Sequence, residues 1–552
     1  MLRPIVNEEN ENERMTQEQG NRINYAVGMQ SFDWIRERKA PYIDKTMYVW
    51  QMVSSNSPYY FLSRPRRFGK SLLVDTLRCY FEGRKELFEG LYIYDKEKEW
   101  KPYPVIRFDF SNGKYYEKDR IHSTFDSILC EYEQRWHIDH VADAFAYDVR
   151  LTNIIMAAFE QTGERVVVLV DEYDAPMLDS INDAGLQDYM RQRVRSLFSP
   201  LKAQSRYLRF IFMTGISKFS QMSVFSELNN LLQITFVPDY EAVCGITEEE
   251  LLTVWKENIG QLADDMNRRY SRWGIHYTYD DVVAKLKAMY DGYHFTNNMT
   301  DIYCPWSLVN AFKLGDIQSF WFSTGTPTML VDVMRKCNIN MQQLEGVSVS
   351  MDRFDAPTER IVDPIPVLYQ SGYITMKDYN PHYNQYVLGF PNGEVREGFA
   401  KSLYKYYMED YVGSDDALGN AYRRLRSKEI TIEQFVEVIR RWYAGIPYGI
   451  TDKNQNEQLY QSLIYAALVG FGADVQAEDQ TSDGRMDIAL KMPDIIYIIE
   501  LKYGQNANEA IEQILKKDYA VRFAADNRPV VAVGLGISQD RRTIDSWKTM
   551  EI

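Results

Sequence analysis

Cysteine is scarce in this chain, which has five cysteines in 552 residues and no Cys-x-x-Cys pair. Widely spaced single cysteines fit a reducing compartment and buried thiols better than disulfides or a zinc site. No stretch approaches the roughly 18 consecutive apolar residues of a membrane-spanning helix. The first 20 residues are polar and acidic, unlike a signal peptide, and we expect them to be disordered. These absences predict a cytoplasmic protein without a membrane partner.

Positive charge is also in short supply, because the formal net charge is −15. This value argues against a broadly basic coat for nucleic acid, although a local basic groove remains compatible with it. The length is enough for about three or four domains rather than one core.

One stretch, Arg64–Ser71, combines a loop with a phosphate-binding pattern and reads Arg-Pro-Arg-Arg-Phe-Gly-Lys-Ser. It follows the apolar run Tyr59–Leu62 and precedes a helical pattern, so its Gly-Lys-Ser falls at a helix N-terminus, which favours anions. We predict that Lys70 reaches the β- and γ-phosphates of ATP and that the Ser71 hydroxyl holds Mg²⁺. The other residues predicted to contact the nucleotide are Arg64, Arg66, Arg67, Phe68, Gly69 and Leu72. A general P-loop has glycine where Arg64 stands.

A second motif, the acidic pair Asp171-Glu172, follows the run Val166–Val170. The unbroken apolar character of that run is typical of a strand buried on both faces. Asp171 is predicted to bind Mg²⁺ and Glu172 to polarise the attacking water. The alternative is an acidic turn that simply ends a strand. Thr214, at the end of the next predicted strand, is a candidate sensor of the γ-phosphate, and the alternative is a threonine that caps a strand end.

These patterns predict an α/β fold, because strands that alternate with helices form parallel sheets with right-handed crossovers. Ligands bind beyond the carboxyl ends of such strands. The Arg64–Ser71 loop, Asp171 and Thr214 all fall at carboxyl ends, so we expect them at one edge of the sheet.

Together with Tyr42–Thr46 (Tyr-Ile-Asp-Lys-Thr) and Asp171–Asp174 (Asp-Glu-Tyr-Asp), the loop resembles the bacterial AAA-ATPase-like family. Members of that family typically carry arginine at the first loop position. The resemblance covers Val27–Phe236 and implies an AAA-type parallel sheet and ATP binding, with hydrolysis as an inference. At that position, Arg64 is expected to add a phosphate contact of its own. Arg66 and Arg67 could contact phosphate or serve a neighbouring subunit, which leaves a homo-oligomer open.

The middle of the chain is predicted to be mostly helical, with one helix over Ile246–Gly260. An apolar helix and two strands suggest a winged-helix-like module near 346–396, or alternatively a lid packed on the ATPase. The predicted division of the chain is a disordered N-terminus (1–20), an ATPase domain (21–244), a helical lid (245–345), a winged-helix-like and helical connector (346–450) and a C-terminal domain (451–552).

The C-terminal chemistry lies in Asp487, Glu500 and Lys502. Two carboxylates on neighbouring strands of a hairpin can share one Mg²⁺ or Mn²⁺. Glu500 and Lys502 are two apart on a strand and point to one face, so Lys502 can orient or deprotonate an attacking water. The alternative is a weak surface salt bridge between them.

The segments Gly484-Arg485-x-Asp487 and Ile498–Lys502 resemble the PD-(D/E)XK nuclease superfamily, with Gln513 and Tyr519 in the helix that follows. The resemblance implies a restriction-endonuclease-like α/β domain, a nucleic-acid substrate (DNA more than RNA), and Glu457 as a further acidic metal ligand in the preceding helix. We therefore expect ATP-regulated phosphodiester hydrolysis, with Glu172, Asp487, Glu500 and Lys502 as catalytic residues. The alternative is an ATP-driven switch whose C-terminal domain binds a partner or nucleic acid without cleaving it.

Overall fold

The computed structural model describes residues 25–138, 143–218, 231–322, 333, 337, 341–358, 363–407, 415–444, 457–476, 487–539 and 543–552. Within these ranges, the side chains of 405–407, 415–416 and 457–459 are not described. The chain divides into two units: residues up to Leu286 with Ile302–Ile317, and Lys287–Asp301 with Gln318–Ile552. The predicted disorder of residues 1–20 lies outside the described residues, and the finer domain division stays a prediction.

The first unit is built on a five-stranded sheet in the order β2-β3-β4-β1-β5. The strands are β1 (Tyr59–Ser63), β2 (Val105–Asp109), β3 (Val166–Asp171), β4 (Leu208–Gly215) and β5 (Leu232–Gln233), and all neighbours pair in parallel. Every residue of β3 is buried, as its unbroken apolar run predicts. The register sets Asp109 opposite Asp171 and Ser63 opposite Gly215, so the carboxyl ends share one edge.

Helices alternate with these strands along the chain, as the sequence pattern predicts. They are α1 (Phe32–Glu37), α2 (Thr46–Ser54), α3 (Lys70–Phe81), α4 (Tyr92–Lys96), α5 (Lys118–Arg135), α6 (Tyr147–Thr162), α7 (Ala175–Asp179), α8 (Ala184–Phe198) and α9 (Pro200–Ala203).

The single helix predicted over Ile246–Gly260 is wrong, because the structure begins this stretch with a strand and then breaks the helix in two. The stretch begins with strand β6 (Ile246–Thr247), which pairs in antiparallel fashion with β7 (Ile302–Tyr303) further along the chain. Thr247 then forms a capping box with Glu250, which fixes the helix start one residue after the strand. The helices here are α10 (Glu248–Val254), α11 (Lys256–Tyr270), α12 (Tyr279–Tyr290) and α13 (Pro305–Leu314).

The second unit contains a three-stranded antiparallel sheet in the order β8-β10-β9, where two strands are predicted. The extra strand is only four residues long, and its Val-Ser-Val-Ser alternation is too short to stand out as a strand in the sequence. The elements are β8 (Val347–Ser350), α14 (Met351–Phe354), α15 (Pro364–Gln370), β9 (Thr375–Asn380) and β10 (Gln385–Gly389), followed by α16 (Gly393–Tyr407), α17 (Asp415–Arg426) and α18 (Ile432–Ala444).

The C-terminal sheet has five strands in the order β11-β12-β13-β14-β15. The elements are α19 (Glu457–Gly470), β11 (Asp474–Gln476), β12 (Ile488–Lys491), β13 (Ile496–Tyr503), α20 (Ala507–Lys516), β14 (Val530–Ile537) and β15 (Ile544–Glu551). Strands β13 and β14 pair in parallel and the other neighbours are antiparallel.

Strand β15 forms one edge of this sheet, and its mostly polar, part-exposed residues give no apolar run in the sequence. Helix α20 ends at Lys516, and Tyr519–Phe523 forms a separate 3-10 helix. Among the described helices, none combines the length and the apolar character that a bilayer crossing requires.

Close packing of α20 on β14 depends on Gly534, which gives a first prediction. A Cβ there would collide with the main-chain oxygen of Ala507 and lie 2.9 Å from Cγ1 of Ile511. Gly534→Ala should therefore destabilise the second unit by about 1–3 kcal/mol, as overpacking of a filled interior does. Thermal unfolding would show this as a lower Tm.

The matched control is Gly260→Ala in α11, where a Cβ meets nothing within 4 Å. Replacing a helical glycine by alanine in open space should stabilise by up to about 1 kcal/mol. Equal Tm values for Gly534→Ala and the parent protein would contradict the packing account.

Candidate functional site

The loop after β1 ends where α3 begins, at Gly69 and Lys70. Gly69 has φ +92°, and a Cβ there would meet nothing within 4 Å, so backbone conformation rather than space favours glycine. Leu73 N donates to Gly69 O at 3.0 Å, which starts the helix. Lys70 is 4% exposed, and its Nζ donates to Pro65 O at 3.1 Å. The ammonium therefore lies across its own loop at a helix N-terminus, a place that suits phosphate.

Arg64 corrects one expectation. Its guanidinium donates to main-chain oxygens of Ser63 at 3.0 Å, Thr235 at 2.8 Å and Tyr240 at 3.1 Å. The residue is 1% exposed. The side chain thus fastens the loop to the chain after β5 instead of facing a phosphate, and glycine at this position could not make these bonds.

Exposure differs among the loop residues Arg66, Arg67 and Phe68. Arg67 has φ +71°, and its guanidinium carbon lies 4.8 Å from the ring centroid of Trp306. Phe68 is buried, and its main-chain oxygen accepts from Gly245 N at 3.0 Å. Arg66 is exposed. The loop is therefore braced by the region around β6 and α13, and Arg66 is the arginine of the loop that faces solvent.

Asp171 closes β3 as a buried carboxylate. It is 1% exposed, and neither carboxylate oxygen has a hydrogen-bond partner among the described residues. Burial raises the pKa of Asp171 to about 6, and the nearby Ser71 hydroxyl opposes that rise. Arg107 Nη2 lies 4.0 Å from Oδ2. Together, this buried carboxylate and the nearby hydroxyl form a hard oxygen donor set, so these residues fit Mg²⁺.

Two acidic residues follow Asp171: Glu172, which is half-buried and has a strained backbone, and Asp174, whose side chain is held by hydrogen bonds. Glu172 has φ +51°, a region that costs a non-glycine residue about 1–3 kcal/mol. Asp174 is fully buried, and its Oδ2 accepts from Ile216 N at 2.9 Å and Ser217 N at 2.6 Å. Burial, and then the charge of Glu172, raises the pKa of Asp174 to about 6. Asp174 therefore holds the turn after β4, a role that the sequence did not reveal.

Thr214 corrects a second expectation. Its hydroxyl donates to Leu62 O at 2.8 Å, and the residue is fully buried. The side chain ties β4 to β1, because a hydroxyl within a buried sheet needs a partner there. The predicted sensor contact through Thr214 is therefore wrong. The hydroxyl of Ser217, three residues later, donates to Asp174 Oδ2 at 3.1 Å.

An ion-pair network behind the loop was missed by sequence reasoning. Arg107 on β2 donates to Asp75 Oδ1 at 3.0 Å, and Arg78 Nε donates to the same oxygen at 2.8 Å. Asp75 is 2% exposed, and its Oδ2 accepts from Phe32 N at 2.7 Å. The network joins α3 to β2 and α1 and so places the P-loop helix. Its members are spread along the chain without a local motif.

In the second unit, the hairpin of β12 and β13 brings the predicted carboxylates together. Ile488 pairs with Ile499, so Asp487 lies beside Glu500. Asp487 N donates to Glu500 Oε2 at 3.3 Å, and Leu501 N donates to Asp487 Oδ2 at 2.6 Å. Asp487 is 6% exposed and Glu500 is fully buried.

Lys502 completes this group. Its Nζ lies 3.3 Å from Glu500 Oε1, and the two side chains are 13% and 0% exposed. The pair is thus an interior ion pair, so the alternative of a surface salt bridge does not describe it. A buried pair is costly to desolvate and needs further polar partners.

Two glutamines supply such partners. Gln461 Nε2 donates to Asp487 Oδ1, and Gln513 Nε2 donates to Glu500 Oε1 and lies 3.4 Å from the Tyr519 hydroxyl oxygen. Gln513 and Tyr519 are the residues that the superfamily pattern indicated. Gln461 was missed, although it stands one helical turn after Glu457 and so shares its face of α19.

Three predicted residues of this site lie wholly or in part outside the described portion of the chain. Glu457 begins α19, but its side chain is not described, so its role as a metal ligand stays a prediction. Gly484 and Arg485 lie outside the described residues.

The carboxylate pair is electrostatically strained. Burial, and then the charge of Asp487, raises the pKa of Glu500 to about 9, while Lys502 opposes the rise. Among the described residues, no group of three or more His, Cys, Asp and Glu is placed to hold a metal. The protein side chains available here are two carboxylates, which fit Mg²⁺ or Mn²⁺, since Mg²⁺ usually keeps several waters.

Fold and geometry together define a P-loop nucleotide-binding unit joined to a unit that carries a nuclease-like carboxylate and lysine site. Family models agree: residues 26–225 match one described as "Predicted AAA-ATPase", and residues 455–547 match the PD-(D/E)XK nuclease superfamily. The "Uncharacterized protein in vnfD 5'region" of Azotobacter chroococcum mcd 1 is 31% identical over 529 residues, covering 94% of this chain and 97% of that protein. The chain belongs to the predicted AAA-ATPase family and carries a C-terminal PD-(D/E)XK nuclease superfamily domain. No solved structure was found to match it.

The raised pKa of Glu500 gives a prediction for the metal-free protein. A carboxyl whose pKa is about 9 in the folded protein, against its ordinary value of 4.5 in the unfolded chain, weakens folding progressively as pH rises between those values. Glu500→Gln removes that penalty. In EDTA, the Tm of Glu500→Gln minus the Tm of the parent protein should therefore be larger at pH 8 than at pH 5.

Glu512→Gln, the same change at an exposed position on α20, controls for the loss of a carboxylate as such. A Tm difference for Glu500→Gln that is the same at both pH values would count against a strained buried pair.

Proposed function

We propose that this protein binds and hydrolyses ATP and thereby regulates metal-dependent phosphodiester hydrolysis of nucleic acid, DNA more than RNA. The observation that carries this proposal is the buried Asp487–Glu500 pair with Lys502 3.3 Å from Glu500. Charged groups are rarely buried together unless they are paired or bind a metal.

In the nuclease-like domain, Asp487 and Glu500 would hold Mg²⁺ or Mn²⁺, which stabilises negative charge on a phosphate when bound. Gln461 and Leu501 N keep the Asp487 carboxylate in a fixed orientation. Lys502 is the most exposed of the three charged groups. Its Nζ can orient an attacking water by a hydrogen bond or take part in proton transfer.

In the ATPase unit, Lys70 and the N-terminus of α3 would bind the β- and γ-phosphates, while Ser71 and Asp171 would hold Mg²⁺. Glu172 would polarise the attacking water. Arg66 is exposed and available to a phosphate or to a neighbouring subunit. Arg64 and Thr214 act on the fold of the loop and sheet instead.

A second candidate is an ATP-driven switch that binds nucleic acid or a partner without cleaving it. One observation favours it: protein donors already bond the carboxylates of the pair. Asp487 is bonded by Gln461 and Leu501 N, and Glu500 by Gln513 and Asp487 N. A metal would have to share these oxygens with the existing donors.

Nuclease assays on DNA and RNA with Mg²⁺ or Mn²⁺ separate the two candidates. Asp487→Asn and Lys502→Ala should each lower cleavage by roughly 100-fold or more, because metal stabilisation of the phosphate is worth several kcal/mol. Lys516→Ala, an exposed lysine on α20, is the matched control and should cleave normally. Equal cleavage by the parent protein and Asp487→Asn, or no cleavage by either, would favour the switch.

The nucleotide site makes a separate prediction. Lys70→Ala should abolish ATP binding, because it removes the one positive charge of the Gly-Lys-Ser motif at the start of α3. Glu172→Gln should bind ATP with little change and lose hydrolysis. Fluorescent-nucleotide titration and phosphate release measure the two effects. Normal hydrolysis by Glu172→Gln would contradict the assigned role.

A further inference from the structure

One contact reaches Asp487 from outside the domain that matches the nuclease superfamily. Gln342 lies in a 3-10 helix, Met341–Leu344, more than 100 residues before that domain begins. Its Nε2 donates to the main-chain oxygen of Asp487 at 3.2 Å, and the residue is 4% exposed. Both residues belong to the second unit.

The bond from Gln342 adds to other hydrogen bonds that hold Asp487 in place. Its main-chain N bonds Glu500, one carboxylate oxygen bonds Gln461 and the other bonds Leu501 N. Those three contacts come from residues 461–501, inside the matched domain. Gln342 alone among these described donors and acceptors comes from elsewhere, and it holds the residue just before β12.

The 3-10 helix is itself firmly placed. Met341 and Leu344 are fully buried, and the helix packs against α19, which carries Gln461. Gln342 and Gln461 therefore approach Asp487 from two packed elements, one on its main chain and one on its carboxylate.

A second anchor stands at the end of this segment. Glu345 Oε1 lies 3.5 Å from Arg396 Nε on α16. Arg396 Nη2 donates to the Tyr465 hydroxyl at 2.6 Å and to Val475 O at 2.7 Å, on α19 and β11. The segment 341–345 is thus tied to the nuclease-like sheet at both ends, so movement of the segment would be transmitted to that sheet.

We propose that Gln342 is a positioning residue for the metal site and that the 3-10 helix sets the metal affinity of Asp487 and Glu500. The inference rests on the proposed metal-dependent function. An uncompensated carbonyl at Asp487 would let the residue shift relative to Glu500, and both carboxylates must converge on one ion. Outer hydrogen bonds of this kind typically change metal affinity by about 10–100-fold when removed.

The test measures metal binding without catalysis. Tm of the full-length chain is followed against Mn²⁺ concentration for the parent protein, Gln342→Met, Gln343→Met and Asp487→Asn. Gln342→Met keeps the side-chain volume and removes the donor, and Gln343→Met is the matched control on the same turn. Asp487→Asn removes a proposed metal ligand, so any Tm shift that Mn²⁺ causes in this variant comes from Mn²⁺ bound elsewhere.

The expected result is a half-saturating Mn²⁺ concentration about 10–100-fold higher for Gln342→Met than for the parent protein or Gln343→Met. Cleavage assays should show the same shift in Mn²⁺ dependence, with kcat recovering at saturating Mn²⁺. Gln342→Asn keeps an amide donor on a shorter side chain, so its half-saturating Mn²⁺ concentration should lie between those of the parent protein and Gln342→Met. This variant replaces Gln342→Met in the test if Gln342→Met fails to fold.

Two results would overturn the inference in distinguishable ways. If Gln342→Met lowers the metal-free Tm but leaves half-saturation unchanged, the residue is structural only, while the proposed function stands. If the parent protein shows no Mn²⁺ shift beyond that of Asp487→Asn, the metal-dependent function and the positioning role fall together.

Discussion

Both candidate sites depend on carboxylates that the fold takes out of water without a full counter-charge. Asp171 is 1% exposed, and its carboxylate oxygens have no hydrogen-bond partner in the described part of the chain, while Glu500 is fully buried beside Asp487. Burial raises the pKa of Asp171 to about 6 and that of Glu500 to about 9. A divalent cation at either place would relieve this cost, because it replaces lost hydration with direct oxygen ligation. The strain is therefore what connects the fold to the proposed chemistry.

The same requirement explains the residues that turned out to be structural. Arg64 donates to several main-chain oxygens, and Thr214 donates to Leu62 O, since buried donors and acceptors must be satisfied within the protein. These bonds keep the P-loop and the sheet edge in shape around Asp171. In the same way, Gln461 and Gln342 hold Asp487 in place by hydrogen bonds from two separate elements.

Local patterns predicted a large part of this architecture. The apolar run that ends at Asp171 and the loop that ends at Lys70 predicted that these two residues lie at the same edge of the sheet. The hairpin pattern predicted that Asp487 lies beside Glu500. Long-range partners were not predictable. Arg64 bonds carbonyls about 170 residues downstream, and Gln342 bonds one 145 residues away, so no local spacing signals either contact. Strand β15 was missed for a different reason, because its polar, part-exposed residues lack an apolar run.

The central claim is that both strained carboxylate groups hold divalent cations, and locating Mn²⁺ by anomalous diffraction from crystals grown with a non-hydrolysable ATP analogue tests it most directly. The account predicts one Mn²⁺ peak bounded by Ser71 and Asp171 next to the nucleotide phosphates, and a second between Asp487 and Glu500. A nucleotide-bound structure with Mn²⁺ at the first position and nothing between Asp487 and Glu500 would contradict the nuclease half of the account. A structure with neither peak would contradict the claim as a whole.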